Sequence, residues 1–494
     1  MSTRKRRVLI VLTTVAIALL AVVARPVSHV LRSMWSDADE RMPTPAGFVD
    51  DASRLNQTAV AEVWPVPADS DDAEAQLAAL LARAKHDGLN VSIAGARHSM
   101  GGHTIAPGGI VVDMRPFCGM SLDEETNVLT VQSGAIWADI IEYLDARGRS
   151  VAIMQSNNSF SVGGSLSVNC HGWTYNEPPI ASAVESFRLM KADGTIVRCS
   201  RTENAELFSL ALGGYGLFGI ILDAELRVVP NVRYRLEQFV MPVHDSLTTF
   251  ENEIEKRDGV AMVYARMNIT PEAFLEEVIL NAFIEEPGAI PPLAEPGNVE
   301  LRRAIFRGSA GSDYGKELRW TAETEVQPLL RGEAFSRNQL QNESVEVFQN
   351  RTADSVDILH EYFVPRERAA GFVVALQEII PRHKADLLNV TVRTVREDPD
   401  TFLRYADREV IGFVMLFVQK KTDNGEARMQ ALTRELIDAA LRHEGRYYLP
   451  YRLHATDEQF LQAYPMAPEF FAKKRQYDPH ELFQNRFSLR YGRS

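Results

Sequence analysis

The stretch most able to do chemistry is residues 93–103, which read Ile-Ala-Gly-Ala-Arg-His-Ser-Met-Gly-Gly-His. It leaves a strand-like run at 91–94. Small residues leave backbone amides uncovered, so the chain can wrap closely around an anion. The sequence therefore predicts a phosphate-binding loop at this position.

A second glycine-rich stretch, Gly-Tyr-Gly-Leu-Phe-Gly at 214–219, matches the G-x-G-x-x-G pattern of dinucleotide-binding loops. Such a loop must leave a strand and open a helix, because the helix N-terminus has to meet the pyrophosphate. Here a predicted helix at 205–212 precedes the glycines, and a predicted strand at 220–229 follows them. The reversed order favours a packed helix-to-strand turn over a Rossmann site.

Composition limits the class of protein. The 494 residues, 45% hydrophobic and 24% charged, are typical of a globular chain with room for two domains. A formal net charge of −13 disfavours a nucleic-acid partner. The three cysteines, Cys118, Cys170 and Cys199, include no Cys-x-x-Cys pair, which excludes a disulfide framework and a zinc ribbon. We predict no metal site, and we interpret Cys170 as a packing residue rather than a nucleophile.

The N-terminus, residues 1–35, reads as a targeting segment. Four basic residues at 4–7 precede an almost unbroken apolar stretch at 8–24, which is typical of a signal peptide or of a short membrane anchor. Both interpretations predict an exported protein: held at the inner membrane if the segment stays, secreted if it is cleaved. The polar residues 36–61 predict a stalk leading into the first domain.

Residues 62–232 alternate between helical and strand-like patterns, which predicts an α+β domain. Predicted helices lie at 71–87, 137–147 and 205–212, and predicted strands at 91–94, 110–114, 128–132, 151–154 and 220–229, with a hairpin at 187–199. Asp-Gly at 193–194 is the turn signal of that hairpin.

Residues 233–445 predict a second α+β domain, an antiparallel sheet with covering helices. Its predicted strands lie at 239–242, 260–267, 274–282, 361–364, 388–395 and 411–418, and its helices at 367–380 and 427–443, with another between the first two strands. The polar residues 298–349 carry no clear pattern and are interpreted as a cap or lid. A C-terminal segment, 446–494, follows.

Four ordered blocks, at 93–114, 134–139, 162–172 and 207–221, resemble the FAD-binding PCMH-type domain of the vanillyl-alcohol oxidase superfamily. A fifth block, 471–487, resembles the segment by which these chains return to the flavin domain. The chain is similar in these blocks to sugar-alcohol and aldonolactone oxidases, cytokinin dehydrogenases and decaprenylphosphoryl ribose oxidase. The resemblance implies a two-domain α+β fold whose second domain covers a bound FAD.

The resemblance also assigns cofactor-binding residues. They are Ala94, Gly95, Ala96, Arg97, His98, Ser99, Gly102, His103, Ser156, Ser161, Gly163, Gly164, Ser167, Val168, Ile221, Tyr448 and Asn485. His98 matches the histidine that is bonded to the flavin 8α-methyl in the covalent members of the superfamily. Other members hold FAD without that bond, so a purely hydrogen-bonding His98 stays open.

On the substrate side, His171 matches a His-Gly histidine that lies beside the isoalloxazine in relatives. It is interpreted as accepting or orienting the proton of a substrate hydroxyl. Arg452, after Tyr451, stands near the position of a His-x-x-Lys signature. It either supplies positive charge to flavin or substrate or is a surface arginine.

Asn389, Thr391 and Arg393 share one face of a predicted strand, because residues two and four apart point the same way. That face lines the substrate cavity if the sheet covers the flavin, and it is solvent-exposed otherwise. Glu361 and Tyr362 are candidates of lower weight. Ser156 stands where cytokinin dehydrogenases have a catalytic aspartate, which argues against amine oxidation.

The resemblance implies an enzyme that oxidises a CH–OH group of a sugar, alditol or aldonolactone by hydride transfer to flavin N5. The flavin would be reoxidised by O2 or by a membrane electron acceptor. Two alternatives stay open: a non-covalent flavoenzyme acting on a lipid-linked sugar, and a flavin-fold binding module without turnover.

Overall fold

The computed structural model describes residues 24–294, 297–326 and 334–492. The apolar stretch predicted to be a signal peptide or anchor lies outside this part, except for its last residue. Within the described ranges, no helix combines the length and the apolarity needed to cross a bilayer.

Residues 24–61 are folded against the rest of the chain. Residues 24–35 are helical, and a short hairpin follows, formed by β1 (Phe48–Val49) and β2 (Thr58–Ala59). Between these strands Asp51, Ser53 and Asn56 are buried. Asp51 accepts a hydrogen bond from the Gly102 amide at 2.7 Å. Residues 47–61 therefore belong to the first domain, which corrects that part of the predicted stalk at 36–61.

The first domain contains nine further strands and four helices. The strands are β3 (Glu62–Pro65), β4 (Val91–Ala94), β5 (Ile110–Asp113), β6 (Met120–Asp123), β7 (Val128–Gln132), β8 (Arg149–Val151), β9 (Val184–Met190), β10 (Ile196–Ser200) and β11 (Ile220–Pro230). The helices are α1 (Ser70–Asp87), α2 (Trp137–Asp145), α3 (Val162–Ser167) and α4 (Ala205–Ala211). A parallel sheet has the order β3-β5-β4, and an antiparallel sheet the order β10-β9-β11-β7-β6, with β8 also paired to β11.

Helix α1 shows why the sequence folds this way. Asp69 caps its N-terminus by accepting from two backbone amides, and Gly88 ends it in the left-handed conformation at φ 67°. Its buried side chains, Ala73, Leu77, Leu80, Leu81 and Ala84, recur at helical spacing. They pack against the parallel sheet, so β4 is held rigidly where the predicted phosphate loop leaves it.

The second domain is built on one antiparallel sheet of eight strands. Its strands are β12 (Arg233–Pro242), β13 (Val260–Met267), β14 (Glu277–Glu285), β15 (Ala334–Ser336), β16 (Ser355–Pro365), β17 (Asp386–Val395), β18 (Val410–Lys420) and β19 (Arg446–Tyr447). Their order in the sheet is β15-β12-β14-β13-β17-β18-β16-β19. The helices are α5 (Ser246–Phe250), which a π-helical turn extends, α6 (Val299–Arg307), α7 (Asp313–Thr321), α8 (Arg337–Gln341), α9 (Ala369–Arg382) and α10 (Asp423–Arg442).

The chain then returns to the first domain through α11 (Asp457–Ala463), α12 (Ala467–Tyr477) and α13 (Arg486–Tyr491). Val91 of β4 bonds to this segment on both sides: its amide donates to the Leu482 carbonyl, and its carbonyl accepts from the Gln484 amide. The predicted α+β, two-domain class is confirmed.

Candidate active site

A cavity lies where the loops of the first domain meet the sheet of the second. It encloses about 1400 Å³, open solvent included. We call it the inner cavity. Its walls come from residues 93–104, the stretch 155–171, the turn before β11, the sheet strands β16, β17 and β18, and residues 448–451. The phosphate loop predicted from the sequence is one of these walls.

Most of the predicted cofactor residues line the inner cavity. They are Gly95, Ala96, Arg97, His98, Ser99, His103, Ser156, Ser161, Gly163, Gly164, Ser167, Val168, Ile221 and Tyr448. The G-x-G-x-x-G stretch also borders it, through Tyr215, Gly216 and Gly219. It does so as the predicted turn from a helix, α4, into a strand, β11.

Three predicted cofactor residues lie behind the lining. Ala94 is buried inside β4, and Gly102 donates its amide to Asp51. Asn485 donates a side-chain hydrogen bond to the Tyr215 carbonyl at 2.9 Å, so the C-terminal segment supports the cavity wall. These residues position the loops around the cavity and do not face its interior.

The lining fits a large anionic cofactor. Arg97, Ser99, Thr104 and Ser133 each carry a buried side-chain nitrogen or oxygen without a hydrogen-bond partner in the described protein. Such groups are costly unless a ligand satisfies them. Gly95 brings two walls together, because a Cβ there would lie 1.9 Å from Ser161 Oγ. The residues present thus form donors and a close-fitting backbone for a phosphate-bearing group.

His98 lies in this wall with its ring fixed from two sides. Its Nε2 is 3.0 Å from the Ser159 carbonyl, and its ring stacks on Phe160 at a centroid distance of 4.0 Å. Burial lowers the pKa of His98, so the imidazole is neutral at pH 7. A neutral, oriented ring is the form in which a histidine acts as a nucleophile.

His171 forms a short polar contact between the two domains. Its Nε2 lies 2.5 Å from Oε1 of Glu361, and both side chains are buried. Tyr451 donates its hydroxyl to Oε2 of the same carboxylate at 3.2 Å. Burial, with the nearby Glu361 charge, raises the pKa of Tyr451 well above its ordinary value, so the phenol stays protonated. His171 Nδ1 has no partner among the described residues.

Arg393 lies beside this group on β17. It donates to Ser156 Oγ at 2.8 Å and to the His171 carbonyl at 3.4 Å, and its Nε has no partner in the described protein. Burial lowers the pKa of Arg393, although it remains a cation at neutral pH. The cavity therefore offers one fixed positive charge next to one carboxylate–imidazole pair.

Two predicted catalytic residues are not in the inner cavity. Arg452 pairs with Glu426 and donates to Asn56 Oδ1 at 3.0 Å, so its charge is used in fixing residues below the phosphate loop. Asn389 accepts from Arg319 at 2.7 Å. The structure thus corrects the position expected for Arg452, which lies in a structural ion pair. Asn389 lies nearer the start of β17 and outside the inner cavity.

Asn389 borders a second space, which we call the outer cavity. It encloses about 2780 Å³ including open solvent, and it shares Ala96, Arg97, His98, Ser156, Asn157, Phe160, Leu359, Arg393 and Val414 with the inner cavity. Its remaining walls include residues 39–45, Phe306 and Phe348. The outer cavity is thus a wide approach to the inner one.

The sequence gives little weight to Glu361, but the structure places it at the site, beside His171. It lies in β16, where its neighbours His360 and Tyr362 point to the other face of the sheet and bond to each other. The strand also carries Asp357 and His360, so its sequence alone does not single out Glu361. Cys170 behaves as expected for packing, since burial raises the pKa of its thiol to about 12. In the described ranges no cluster of His, Cys, Asp and Glu is arranged to hold a metal.

Comparison with known proteins agrees with this geometry. Residues 72–200 match a family described as an FAD binding domain, and residues 224–491 match a family described as D-arabinono-1,4-lactone oxidase. Among curated proteins, the L-gulonolactone oxidase of Mus musculus is 26% identical over 36% of this chain and 41% of its own. Cytokinin dehydrogenase 2 of Arabidopsis thaliana is 29% identical over 35% of this chain and 34% of its own. Cytokinin dehydrogenase 8 of Oryza sativa subsp. indica is 30% identical over 43% and 42%. The chain thus spans less than half the length of each of these relatives.

Proposed function

Since the chain belongs to the D-arabinono-1,4-lactone oxidase family, we propose that it oxidises a CH–OH group of an aldonolactone, alditol or sugar with FAD held in the inner cavity. The observation that supports this reaction is the buried His171–Glu361 contact beside Arg393. Bound FAD supplies a hydride acceptor at its N5 atom.

His171 and Glu361 take up the hydroxyl proton of the substrate. Because the Nε2–H bond points to the carboxylate, the lone pair of His171 lies on Nδ1, the atom without a protein partner. When a substrate hydroxyl donates to Nδ1, its proton passes to that atom as hydride leaves the carbon that bears the hydroxyl. Glu361 stabilises the imidazolium that results.

Arg393 and Tyr451 orient a polar substrate. Arg393 presents a guanidinium with an unused N–H group, and Tyr451 presents a hydroxyl already directed at Glu361. The free N–H of Arg393 and the acceptor oxygen of Tyr451 match the closely spaced hydroxyl and carbonyl groups of a sugar or lactone. An apolar alcohol would leave the Arg393 N–H unpaired, so the cavity favours polyhydroxylated substrates.

FAD attachment through His98 is part of the proposal. The neutral imidazole, held in place by Ser159 and Phe160, supports a bond to the flavin 8α-methyl. The residues on either side of His98 in the chain, Arg97 and Ser99, supply unpartnered donors for the cofactor. We place the enzyme outside the cytoplasm, anchored or secreted, with O2 or a membrane acceptor taking the electrons. The support for this placement is the apolar sequence at 8–24.

A lipid-linked sugar is the second candidate substrate. The observation that favours it is the outer cavity, whose walls include Met42, Pro43, Phe306 and Phe348. Such a space admits an apolar tail behind a polar sugar head.

The two candidates are separated by steady-state assays of the purified full chain with both O2 and a soluble dye. Free aldonolactones, alditols and aldoses are compared with a detergent-solubilised polyprenyl-linked sugar. Turnover of a free polyol or lactone that is lost in Glu361→Gln supports the proposal. Turnover of the lipid-linked sugar alone supports the second candidate, and a flavin-loaded protein with no turnover of either class contradicts both.

A further inference from the structure

The helical residues 24–35 have one face seated on the second domain. His29 Nε2 lies 2.9 Å from the Gly308 carbonyl, and Ser33 donates to the Ala304 carbonyl at 2.7 Å. Just after the helix, Asp37 accepts from the buried Arg303 at 2.6 Å. These contacts fix the orientation of the helix against α6. They therefore determine which of its side chains face away from the protein.

The other face carries four large apolar side chains in solvent. Val27, Leu31, Met34 and Trp35 are 49%, 43%, 41% and 83% exposed. Their spacing of four, three and one residues places them on one side of a helix. The exposed Arg32 lies beside this apolar side, whereas the Arg25 guanidinium stacks over the Tyr314 ring of α7 on the seated side. We call these four residues the apolar face.

We propose that the apolar face lies in the surface of a lipid bilayer. A helix with one apolar side and an arginine beside it is suited to the boundary between headgroups and acyl chains. The residues directly before it, 8–23, are almost all apolar and follow four basic residues. A segment of this kind is directed to a membrane, which places the helix that follows it close to the bilayer. These four side chains stay at least 41% exposed although the helix is already seated, and such an exposed apolar patch is typical of a surface that meets a partner or a membrane.

This placement brings the outer cavity to the membrane. Residues 39–45 continue from the helix and form part of that cavity's wall, where Met42 is 85% exposed. Helix α6, the seat of the apolar face, contributes Phe306 to the same wall. An amphiphilic substrate or electron acceptor therefore reaches the outer cavity from the bilayer surface. This last consequence rests on the proposed function, whereas the membrane contact does not.

The contact is tested by tryptophan fluorescence of the full chain reconstituted in phosphatidylcholine vesicles containing some phosphatidylglycerol. The other four tryptophans are subtracted by measuring Trp35→Phe alongside. We expect the Trp35 signal to be blue-shifted and at least halved by phosphatidylcholine brominated near the top of its acyl chains. A Trp35 signal that is unshifted and unquenched in vesicles overturns the proposal.

A matched variant separates the apolar face from the apolar stretch before it. Leu31→Gln with Met34→Gln keeps residues 8–24 and good helix formers, so the vesicle attachment through that stretch is unchanged. We expect Trp35 quenching to fall at least threefold in this variant, with flavin content and soluble-dye turnover as in the wild type. Equal quenching in both proteins overturns the proposal. A Trp35 blue shift that grows with protein concentration without lipid also overturns it, since the face would then bind a second copy.

Discussion

His171 of the first domain and Glu361 of the second are joined by a contact of 2.5 Å between Nε2 and Oε1. The two residues come from different domains, so this contact forms only when the sheet of the second domain is docked on the flavin-binding loops of the first. Docking thus assembles the proton acceptor of the proposed reaction.

Replacing Glu361 by Gln keeps a hydrogen-bond acceptor for His171 but removes the charge that stabilises its protonated form. We expect kcat to fall about 10²- to 10⁴-fold, the usual contribution of acid–base catalysis, with flavin content unchanged. Tyr362→Phe is the matched control, because that hydroxyl bonds His360 at 3.1 Å on the opposite side of β16. Glu361→Gln activity within twofold of wild type would contradict the assignment.

Arg393→Met removes the guanidinium that donates to Ser156 and lines the inner cavity. Losing a charge-assisted hydrogen bond of about 1.5–3 kcal/mol predicts a kcat/KM about 10- to 100-fold lower for a polar substrate. Ser156→Ala keeps the charge and should cost less than fivefold. Steady-state kinetics on both variants checks this, and equal losses in the two would show that Arg393 acts only through Ser156.

Gly95→Ala should reduce the flavin content of the purified protein severely. A Cβ there would lie 1.9 Å from Ser161 Oγ and 2.8 Å from Ser161 Cβ, so the two cofactor walls must separate, at a cost of about 1–3 kcal/mol. Gly297→Ala is the control, since a Cβ at that position meets nothing within 4 Å. The ratio of flavin to protein absorbance measures both, and normal flavin content in Gly95→Ala would refute the fit of this wall.

Arg452→Met should lower the melting temperature and leave kcat per bound flavin unchanged. Its guanidinium joins Glu426 to Asn56, and Asn56 in turn donates to Asp51, the residue that holds the Gly102 amide. Loss of this support loosens the phosphate loop without removing a group from the inner cavity. A large fall in kcat with no change in stability would instead return Arg452 to the catalytic set.

The stability of the fold should decrease as the pH falls below about 6.5, the ordinary value for histidine. Burial lowers the pKa of both His103 and His360 to about 3, so the unfolded chain binds these protons first. Each histidine then removes up to about 1.4 kcal/mol of stability per pH unit between the two values.

Glu426 adds a second loss at lower pH. Burial by itself would raise its pKa, but the His454 hydrogen bond and the Arg452 charge lower it to about 2. Its stabilisation is present above about 4.5 and is lost as the pH falls towards 2. Urea unfolding at several pH values checks both effects. A His360→Asn variant should show a shallower slope between pH 6.5 and 4, and an unchanged slope would contradict the assignment.

The sequence predicts local structure well, because local structure depends on residues close together in the chain. Helix α1 has the predicted apolar spacing and ends at Gly88, as predicted. Strands β16 and β18 lie at the predicted positions and are longer than predicted. The contacts of Glu361 and Arg452 cannot be predicted from the sequence. Glu361 contacts His171, 190 residues away, and Arg452 contacts Glu426, 26 residues away. The periodicity of a strand also does not show which of its faces lines a cavity.

The stalk prediction failed for a related reason. The polar residues Asp51, Ser53 and Asn56 are buried there, where they bond one another and the loop at 99–102. Buried polar networks of this kind look like solvent-exposed linkers in a sequence.

The most direct test of the central claim is the visible spectrum of the purified full chain, recorded without oxygen before and after adding an aldonolactone or alditol. The account predicts a yellow protein whose flavin absorbance bleaches with substrate and returns with O2 or a dye, and whose colour stays with the acid precipitate unless His98 is changed to Ala. A protein without flavin, or a flavin that no CH–OH compound reduces, would contradict it.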